Sequence, residues 1–560
     1  MPKLDWRAAI KWISRDERDD FFPDVMRYRD VVAFAEDYLT LNDRKLFQYS
    51  RHPYDSFTVP KSHLLKRQAI CLPLPFRLVY TALLRELFYE ISPYLSTSVH
   101  SYRMYGEVNH EERDYPFPSE ATKYAWLGFK HGFNAALHQD HGWWGAETDI
   151  TMFFEQIDVK NLVSVLSALI PPDRLPEAEQ CLRLLESSLL WCSRQGRGVP
   201  QNYDASSFFC SAFLTPVDRE MSRLEQVHYT RWMDDIRIAA PTRGGVIRAL
   251  HKLQEELARY GLGINSRKTK LLEPGSLEYS NYLSVDEDVR LQGLSDAVAT
   301  HHESTIRDAL PLFIQAIKEC DQNGNDRFLR AYGARLLEAA EFEELRNESL
   351  DAIRSLALEG FRVRPERADQ WCKFLSPNVT SDVQTYLCEF LDDSNYNCHE
   401  WTNFWAMVTL CRTKDPIQKV IELFRRMAFG SASTPIRSHA IAAYGRISDN
   451  IDRRKLGDAY LTGEIPSVLR RACIVGIQEL PSDIRDQYYD RAKEVDPDLD
   501  TLIKYLKSKD SPTYGTYSFP TRHCTAMPEE QAPPRQMGVG FVAGKWNRFP
   551  IRPRYYPDYE

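Results

Sequence analysis

Two short stretches of this sequence place carboxylates where they could hold metal ions. In Arg231-Trp-Met-Asp234-Asp235-Ile-Arg-Ile238, two adjacent acids are flanked by apolar, β-compatible residues. Neighbouring side chains along a strand point to opposite faces, so an acid pair inside such a run is tolerable only at a hairpin bend or against bound cations. The flanks therefore predict a β-hairpin with the acids at its turn. By itself an Asp-Asp pair usually marks a solvated turn, and the chain has others at Asp19-Asp20 and Asp392-Asp393. What sets this pair apart is a second acid, Asp149, in Thr148-Asp-Ile-Thr-Met-Phe-Phe-Glu-Gln-Ile157, where a strand ends at the acid and two aromatics follow in a helical turn. Phosphoryl transfer to a hydroxyl by two divalent metals requires carboxylates from two separate strands, spaced to hold ions roughly 3.5–4 Å apart.

The elements that must position these acids are set by periodicity. Residues 1–55 are charged and aromatic, with a helical patch over Val31–Tyr38, and read as a lead-in packed on the next domain of the chain. Residues 56–285 alternate short β-type runs, such as Gln226–Ala240, with helical ones, such as Val246–Tyr260, which predicts an α+β domain. Over residues 286–510 the strands vanish and amphipathic helical stretches succeed one another, among them Arg327–Ala340, Glu344–Glu359 and Pro416–Ala428. Two segments of this all-α half look alike, Thr434–Gly445 and Ser467–Ile477. Aligning Ile436 with Leu469 sets Ala440 over Cys473 and gives both a small-residue stripe, a pattern that resembles HEAT-like helical repeats. Residues 511–560 are rich in Pro, aromatics and Arg and read as a tail or an arm that wraps a neighbour.

A chain of 560 residues exceeds what one hydrophobic core supports, which leaves room for an enzyme with an appended module. No apolar run is long enough to cross a bilayer. Lys3, Asp5 and Arg7 stand where a signal peptide needs apolar residues, so a cytoplasmic protein is expected. Eleven cysteines without a close C-x-x-C pair argue against a zinc module or a disulfide framework. The net charge of -8 is unsuited to coating long duplexes, so any nucleic-acid contact must be local. Two basic stretches contain no acid: Ser56–Arg85, with Lys61, Lys66, Arg67, Arg77 and Arg85, and Arg535–Arg554.

The blocks around the acids resemble, in their usual order, the palm of reverse transcriptases. Thr148–Ile157 resembles the first palm motif, Gly198-Val-Pro-Gln201 with Ser206 and Asp218 the second, Arg231–Asp235 the third and Leu262–Thr269 the fourth. Val59-Pro60-Lys61 with Arg67, and Phe76–Val79 leading to Ser101-Tyr102-Arg103, are similar to the fingers of the same family. The resemblance covers about residues 56–275. It implies that Asp149, Asp234 and Asp235, with the backbone carbonyl of Ile150, hold two Mg²⁺ ions, with Mn²⁺ as an alternative. It further implies dNTP substrates, with Phe154 excluding a 2'-hydroxyl by its bulk. Lys61, Arg67 and Arg77 would contact substrate, Gln201 would lie near nucleotide and template, and Lys268 would donate a proton to the departing pyrophosphate. Asn202 stands where the family has Gly, Trp232 where it has Tyr or Phe, and the motif that closes the palm is degenerate in Tyr279–Leu283, with no recognisable thumb after it.

Helical repeats in place of a thumb make the chain similar to the abortive-infection and related defence-associated reverse transcriptases of bacteria. That resemblance implies defence against phage, DNA synthesis with little or no templating, single-stranded product attached covalently to a tyrosine, and assembly into a homo-oligomer. Tyr555, Tyr556 and Tyr559 are reachable candidates for priming, as is any mobile Tyr near the cleft. Two other readings are a templated RNA-directed polymerase serving a noncoding RNA and a catalytically inert helical scaffold. Intact metal acids weigh against the second.

Overall fold

The computed structural model describes residues 4–16, 20–42, 55–62, 65–104, 115–117, 119–138, 142–283 and 346–514, together with the single residues 337 and 343. The helical stretch at Arg327–Ala340, the basic stretch at 535–554 and the three C-terminal tyrosines lie almost wholly outside them.

Two sheets are present among the described residues. Strands β1 (Asp55–Ser62) and β2 (Leu65–Cys71) form an antiparallel hairpin. Strands β3 (Trp144–Asp149), β4 (His228–Trp232), β5 (Asp235–Ala240) and β6 (Lys270–Leu272) form an antiparallel sheet in the order β4-β5-β3-β6. The long run at Gln226–Ala240 thus resolves into two strands joined by the turn at Met233-Asp234, as its central acids require. The helix expected after it spans Arg243–Ala258, and Thr242 caps it by accepting a hydrogen bond from the Gly245 amide at 3.1 Å. No helix among the described residues is long and apolar enough to cross a membrane.

The sheet and the helices Leu74–Ile91, Val159–Leu169, Leu175–Cys192 and Asp204–Phe213 share one core, built on Phe76, Phe88, Leu162, Leu185, Phe208 and Ile236. The described residues from 346 onward are helical and form a second core. Within it the two look-alike helices, Thr434–Ile447 and Ser467–Gly476, lie directly against each other with Ala440 and Cys473 fully buried. Their backbones approach so closely that a Cβ on Gly445 would fall 2.3 Å from the Gly476 carbonyl oxygen.

The second core also takes in Phe57, Val59 and Ala69 of the β1–β2 hairpin and Phe21, Phe22, Val25 and Met26 of the lead-in. The lead-in is therefore a bridge between the halves. Arg471 of the helix Ser467–Gly476 reaches it with two forked ion pairs, to Asp30 at 2.9 Å on both bonds and to Asp24 at 3.2 Å on both. All three side chains are buried. Removing one partner of such a group strands a charge in low dielectric, a cost of about 3–5 kcal/mol.

The same segment corrects one expectation. Arg77 is buried, its guanidinium pairing with Asp16 at 3.0 Å and Asp20 at 2.5 Å and lying over the rings of Tyr28 and Tyr203. It ties the helix Leu74–Ile91 to the lead-in and does not face the acids. Arg85 is likewise held by Asp5 at 3.1 Å and Glu86 at 2.8 Å. The basic stretch looked unopposed because its opposing acids come mostly from the lead-in.

Candidate active site

Antiparallel pairing of β3 with β5 sets Asp149 directly opposite Asp235, the last residue of one strand against the first of the other. Asp234 precedes Asp235 in the two-residue turn that comes after Trp232, and its carbonyl accepts from the Ile150 amide at 3.3 Å. The three acids therefore gather at one end of the sheet. Met233 has φ 55 in this turn, a strained value for a side chain of its size, so something must hold it there. The buried Arg231 does so: it donates to the Met233 carbonyl at 2.9 Å and to the Ser211 carbonyl at 3.0 Å. It also forks onto Asp218, Nε to Oδ1 at 2.8 Å and Nη2 to Oδ2 at 2.6 Å, with both side chains fully buried. The Ser101 hydroxyl accepts from the Met233 amide at 2.8 Å. Sequence spacing marked Asp218, Arg231 and Ser101 as motif members but gave no sign that they form the frame of the turn.

Asp149 is held from the other side by the segment Gly263–Thr269. The Asn265 amide donates to the Asp149 carbonyl at 2.7 Å, and the Asn265 side chain donates to Asp149 Oδ1 at 3.2 Å. Lys268 Nζ donates to Asp149 Oδ2 at 2.6 Å. Burial works against the Lys268 ammonium, but that hydrogen bond and the charges of Asp149, Asp234 and Asp235 hold it above the usual lysine range. The ammonium thus occupies a place beside the acids that suits a cation.

The acids repel one another. Burial, then the charge of Asp149, raises Asp234 above the usual carboxylate range, with Lys268 and Lys61 partly opposing. Asp235 is pushed up to about 6 by burial of its carboxyl and by Asp234 and Asp149. Its side chain lies at the solvent-exposed lip of the site, where water screens the repulsion. Among the described residues no group of three or more acid, imidazole or thiol side chains is placed so as to hold a metal ion. The donors are nonetheless hard carboxylate oxygens that destabilise one another when no cation is near, which fits Mg²⁺ or Mn²⁺ better than a soft metal. A cleft of about 330 Å³ opens beside them, lined by Asp149, Asp235, Arg267, Lys268 and Lys270 among others.

Phe154 leads away from Asp149 in the short helix Phe153–Gln156, packed against Phe153 at 5.5 Å between ring centres. The segment Gly198–Gln201 runs beside that helix, the Gly198 amide donating to the Ile157 carbonyl at 2.8 Å and the Val199 amide to the Phe154 carbonyl at 3.1 Å. Gly198 has φ 91 here, a value that needs glycine. Asn202 has φ 63, which explains how it substitutes for the family's Gly: Asn is among the residues that tolerate the left-handed region. Trp232 packs edge-on against Trp126 at 5.1 Å. Tyr279 lies in a helix, Leu277–Leu283, and its hydroxyl donates to the Leu137 carbonyl.

The hairpin brings two more of the expected residues to this end of the sheet. Lys61 is exposed and near enough to Asp234 to offset its repulsion. Arg67 donates to the buried Gln201 side chain at 3.5 Å, and burial lowers its pKa while Glu155 and Asp234 act in the opposite direction. Asp149, Asp234, Asp235, Lys268, Lys61, Arg67 and Gln201 are thus brought together, while Arg77 is not.

Residues 97–292 match the family model described as reverse transcriptase (RNA-dependent DNA polymerase). This stretch is a reverse-transcriptase domain. The match contains the three acids, Phe154, Gln201 and Lys268; the hairpin with Lys61 and Arg67 precedes it and the helical half comes after it. Among solved structures, the chain aligns with telomerase from Candida albicans in complex with a TWJ fragment of telomeric RNA, at 10% identity and a TM-score of 0.21. That alignment covers 60% of this chain and 52% of the telomerase chain, about half its length, and a score of this size does not establish a shared fold. A comparison with curated proteins gives no match.

Proposed function

We propose that the chain is a DNA polymerase of the reverse-transcriptase type that builds single-stranded DNA from dNTPs with little or no templating, primes on one of its own tyrosines, and serves in defence against phage as a homo-oligomer. The observation that carries the catalytic part is the register that sets Asp149 opposite Asp235, with Asp234 in the adjoining turn. These acids, with the Ile150 carbonyl, would hold two Mg²⁺. When bound, such ions lower the pKa of an attacking hydroxyl and neutralise the triphosphate. Lys61 and Arg67 receive the triphosphate from the hairpin side. Lys268 is charged and next to the acids, suited to donate a proton to the leaving pyrophosphate. Phe154 takes the space a 2'-hydroxyl would need.

The helices 346–514 build their core around the lead-in and the β1–β2 hairpin, which supports a scaffold role for them and a HEAT-like reading of the stacked pair. With a net charge of -8 a free primer duplex gains little general attraction, whereas a tethered hydroxyl acts at high effective concentration. A phenol ionises more readily than an aliphatic hydroxyl, which favours tyrosine. Defence and oligomerisation are supported by the resemblance in chain order alone.

The test is to incubate purified protein with Mg²⁺ and each labelled dNTP, with and without added RNA, then denature and resolve the product with and without protease. Label that stays with the protein until protease treatment, and that does not require RNA, is the expected result. Label that runs free of protein before digestion refutes protein priming, and a strict RNA requirement refutes untemplated synthesis. No incorporation under any condition refutes the polymerase reading.

A further inference from the structure

Arg67 extends from β2 toward the acids, yet its own strand does little to fix where its guanidinium points. Its contact with Gln201 is long, at 3.5 Å, and its buried Nε has no partner among the described residues. What lies against the guanidinium is the ring of Phe21, 5.4 Å from the cation to the ring centre. An aromatic face attracts a cation without offering it a hydrogen-bond acceptor. It can therefore fix Arg67 in place while leaving its N–H groups for an oxygen ligand, whereas a carboxylate in that position would consume them.

Phe21 in turn is fixed by the helical half. It lies in the irregular stretch between the helices Trp6–Asp16 and Arg29–Ala33, where no ladder determines its position. Its carbonyl accepts from the indole Nε1 of Trp401 at 3.1 Å, in the buried helix Glu400–Leu410. The adjacent Phe22 packs edge-on against Phe404 of that helix, 5.0 Å between ring centres, and against Phe57 of β1 at 4.6 Å. Both phenylalanines are buried.

We propose that Phe21, anchored by Trp401, is a positioning residue that aims Arg67 at the triphosphate of the incoming nucleotide, so that the helical half sets nucleotide affinity without touching the nucleotide. The inference rests on the polymerase reading for the role of Arg67. Phe21→Leu keeps an apolar side chain but removes the aromatic face, Phe21→Tyr keeps the face, and Trp401→Phe keeps a ring but removes the N–H.

The experiment measures the Kd for a dNTP by equilibrium titration of the full chain, alongside steady-state incorporation, for these variants alone and combined with Arg67→Ala. Phe21→Leu is expected to raise Kd and KM about tenfold, equivalent to about 1.4 kcal/mol, with little change in kcat. Phe21→Tyr should stay within about twofold of wild type, and Trp401→Phe should raise Kd about threefold. In the Arg67→Ala background neither Phe21→Leu nor Trp401→Phe should shift Kd further, since the lost interaction acts only through Arg67. An unchanged Kd in Phe21→Leu, or an equal loss with and without Arg67, overturns the proposal. Should Phe21→Leu fail to fold, the Trp401→Phe pair decides it by the same comparison. Nucleotide binding without incorporation would refute the polymerase reading while leaving the Kd comparison to decide this one; a wild-type chain that binds no dNTP overturns the positioning role.

Discussion

Replacing Asp218 with Ala would leave the Arg231 guanidinium buried without a counter-charge. Three hydrogen bonds end at Asp218: two from Arg231, at 2.8 and 2.6 Å, and one from the Tyr229 hydroxyl at 2.7 Å. Arg231 would keep its bonds to the Ser211 and Met233 carbonyls, but neutral acceptors do not replace a carboxylate. Breaking a fully buried pair costs about 3–5 kcal/mol. For a domain of this size each kcal/mol moves the melting midpoint by about 2–4 °C, so Asp218→Ala should lower the midpoint of the polymerase-domain transition by roughly 6–20 °C. Differential scanning calorimetry on the whole chain checks this. A second variant separates stability from chemistry. Replacing both partners, Asp218→Leu with Arg231→Met, should recover most of the lost midpoint, because apolar residues of similar volume often stand in for a buried pair at little cost. It should not recover incorporation, because the Met233 carbonyl would lose the donor that holds the turn of Asp234. A midpoint shift below about 2 °C in Asp218→Ala, or a double variant as active as wild type, would show that the pair does not frame the site.

Asp234→Ala with Asp235→Ala should abolish dNTP incorporation without lowering the melting midpoint in EDTA, since their mutual repulsion is a cost when no cation is bound; wild-type incorporation by the double variant refutes the assignment. Asp235, raised to about 6, should make a contribution to apo stability that is complete below the unfolded value near 3.8 and is lost as pH rises through about 6. Titrating the midpoint of wild type against Asp235→Asn in EDTA between pH 4 and pH 7.5 isolates this, and a difference that grows in the opposite direction contradicts it. Phe154→Ala should admit ribonucleotides, read as a fall in the dNTP-to-NTP ratio of kcat/KM, and an unchanged ratio locates sugar selection elsewhere. Asn202→Gly should be tolerated while Asn202→Val costs about 1–3 kcal/mol, because φ 63 is costly for a β-branched residue; equal midpoints for the two would contradict that.

The acids could be read from sequence because local rules constrain them strongly: alternation forbids a paired charge inside a strand, and only a turn or a cation relieves it. Asn202 shows the same legibility at a departure, its backbone angle being one that Asn and Gly share. Arg77 shows where such rules end. Its stretch contains no acid of its own, and the partners that neutralise it, Asp16 and Asp20, are 61 and 57 residues away. No periodicity encodes a pairing of that separation. Arg231 and Asp218 were similarly visible as motif spacing but not as a buried pair, since spacing says nothing of burial. Phe21 carries no pattern at all, being in an irregular stretch whose place is set by helices that begin more than 300 residues later.

The ion pairs from Arg471 to Asp24 and Asp30 also impose an order in time. At the usual rate of roughly 5–20 residues per second, the 441 residues that separate Asp30 from Arg471 take roughly 20–90 s to synthesise. Throughout that interval a nascent chain carries both aspartates without their guanidinium, and for most of it the β1–β2 hairpin lacks the helix Glu400–Leu410 that completes its core. The acids at the sheet end can assemble early, because β3, β4, β5 and β6 all lie between residues 144 and 272. The ribosome-bound protein would thus own its carboxylates well before it could orient Arg67, whose aim waits until Trp401 and the helix Glu400–Leu410 have been made.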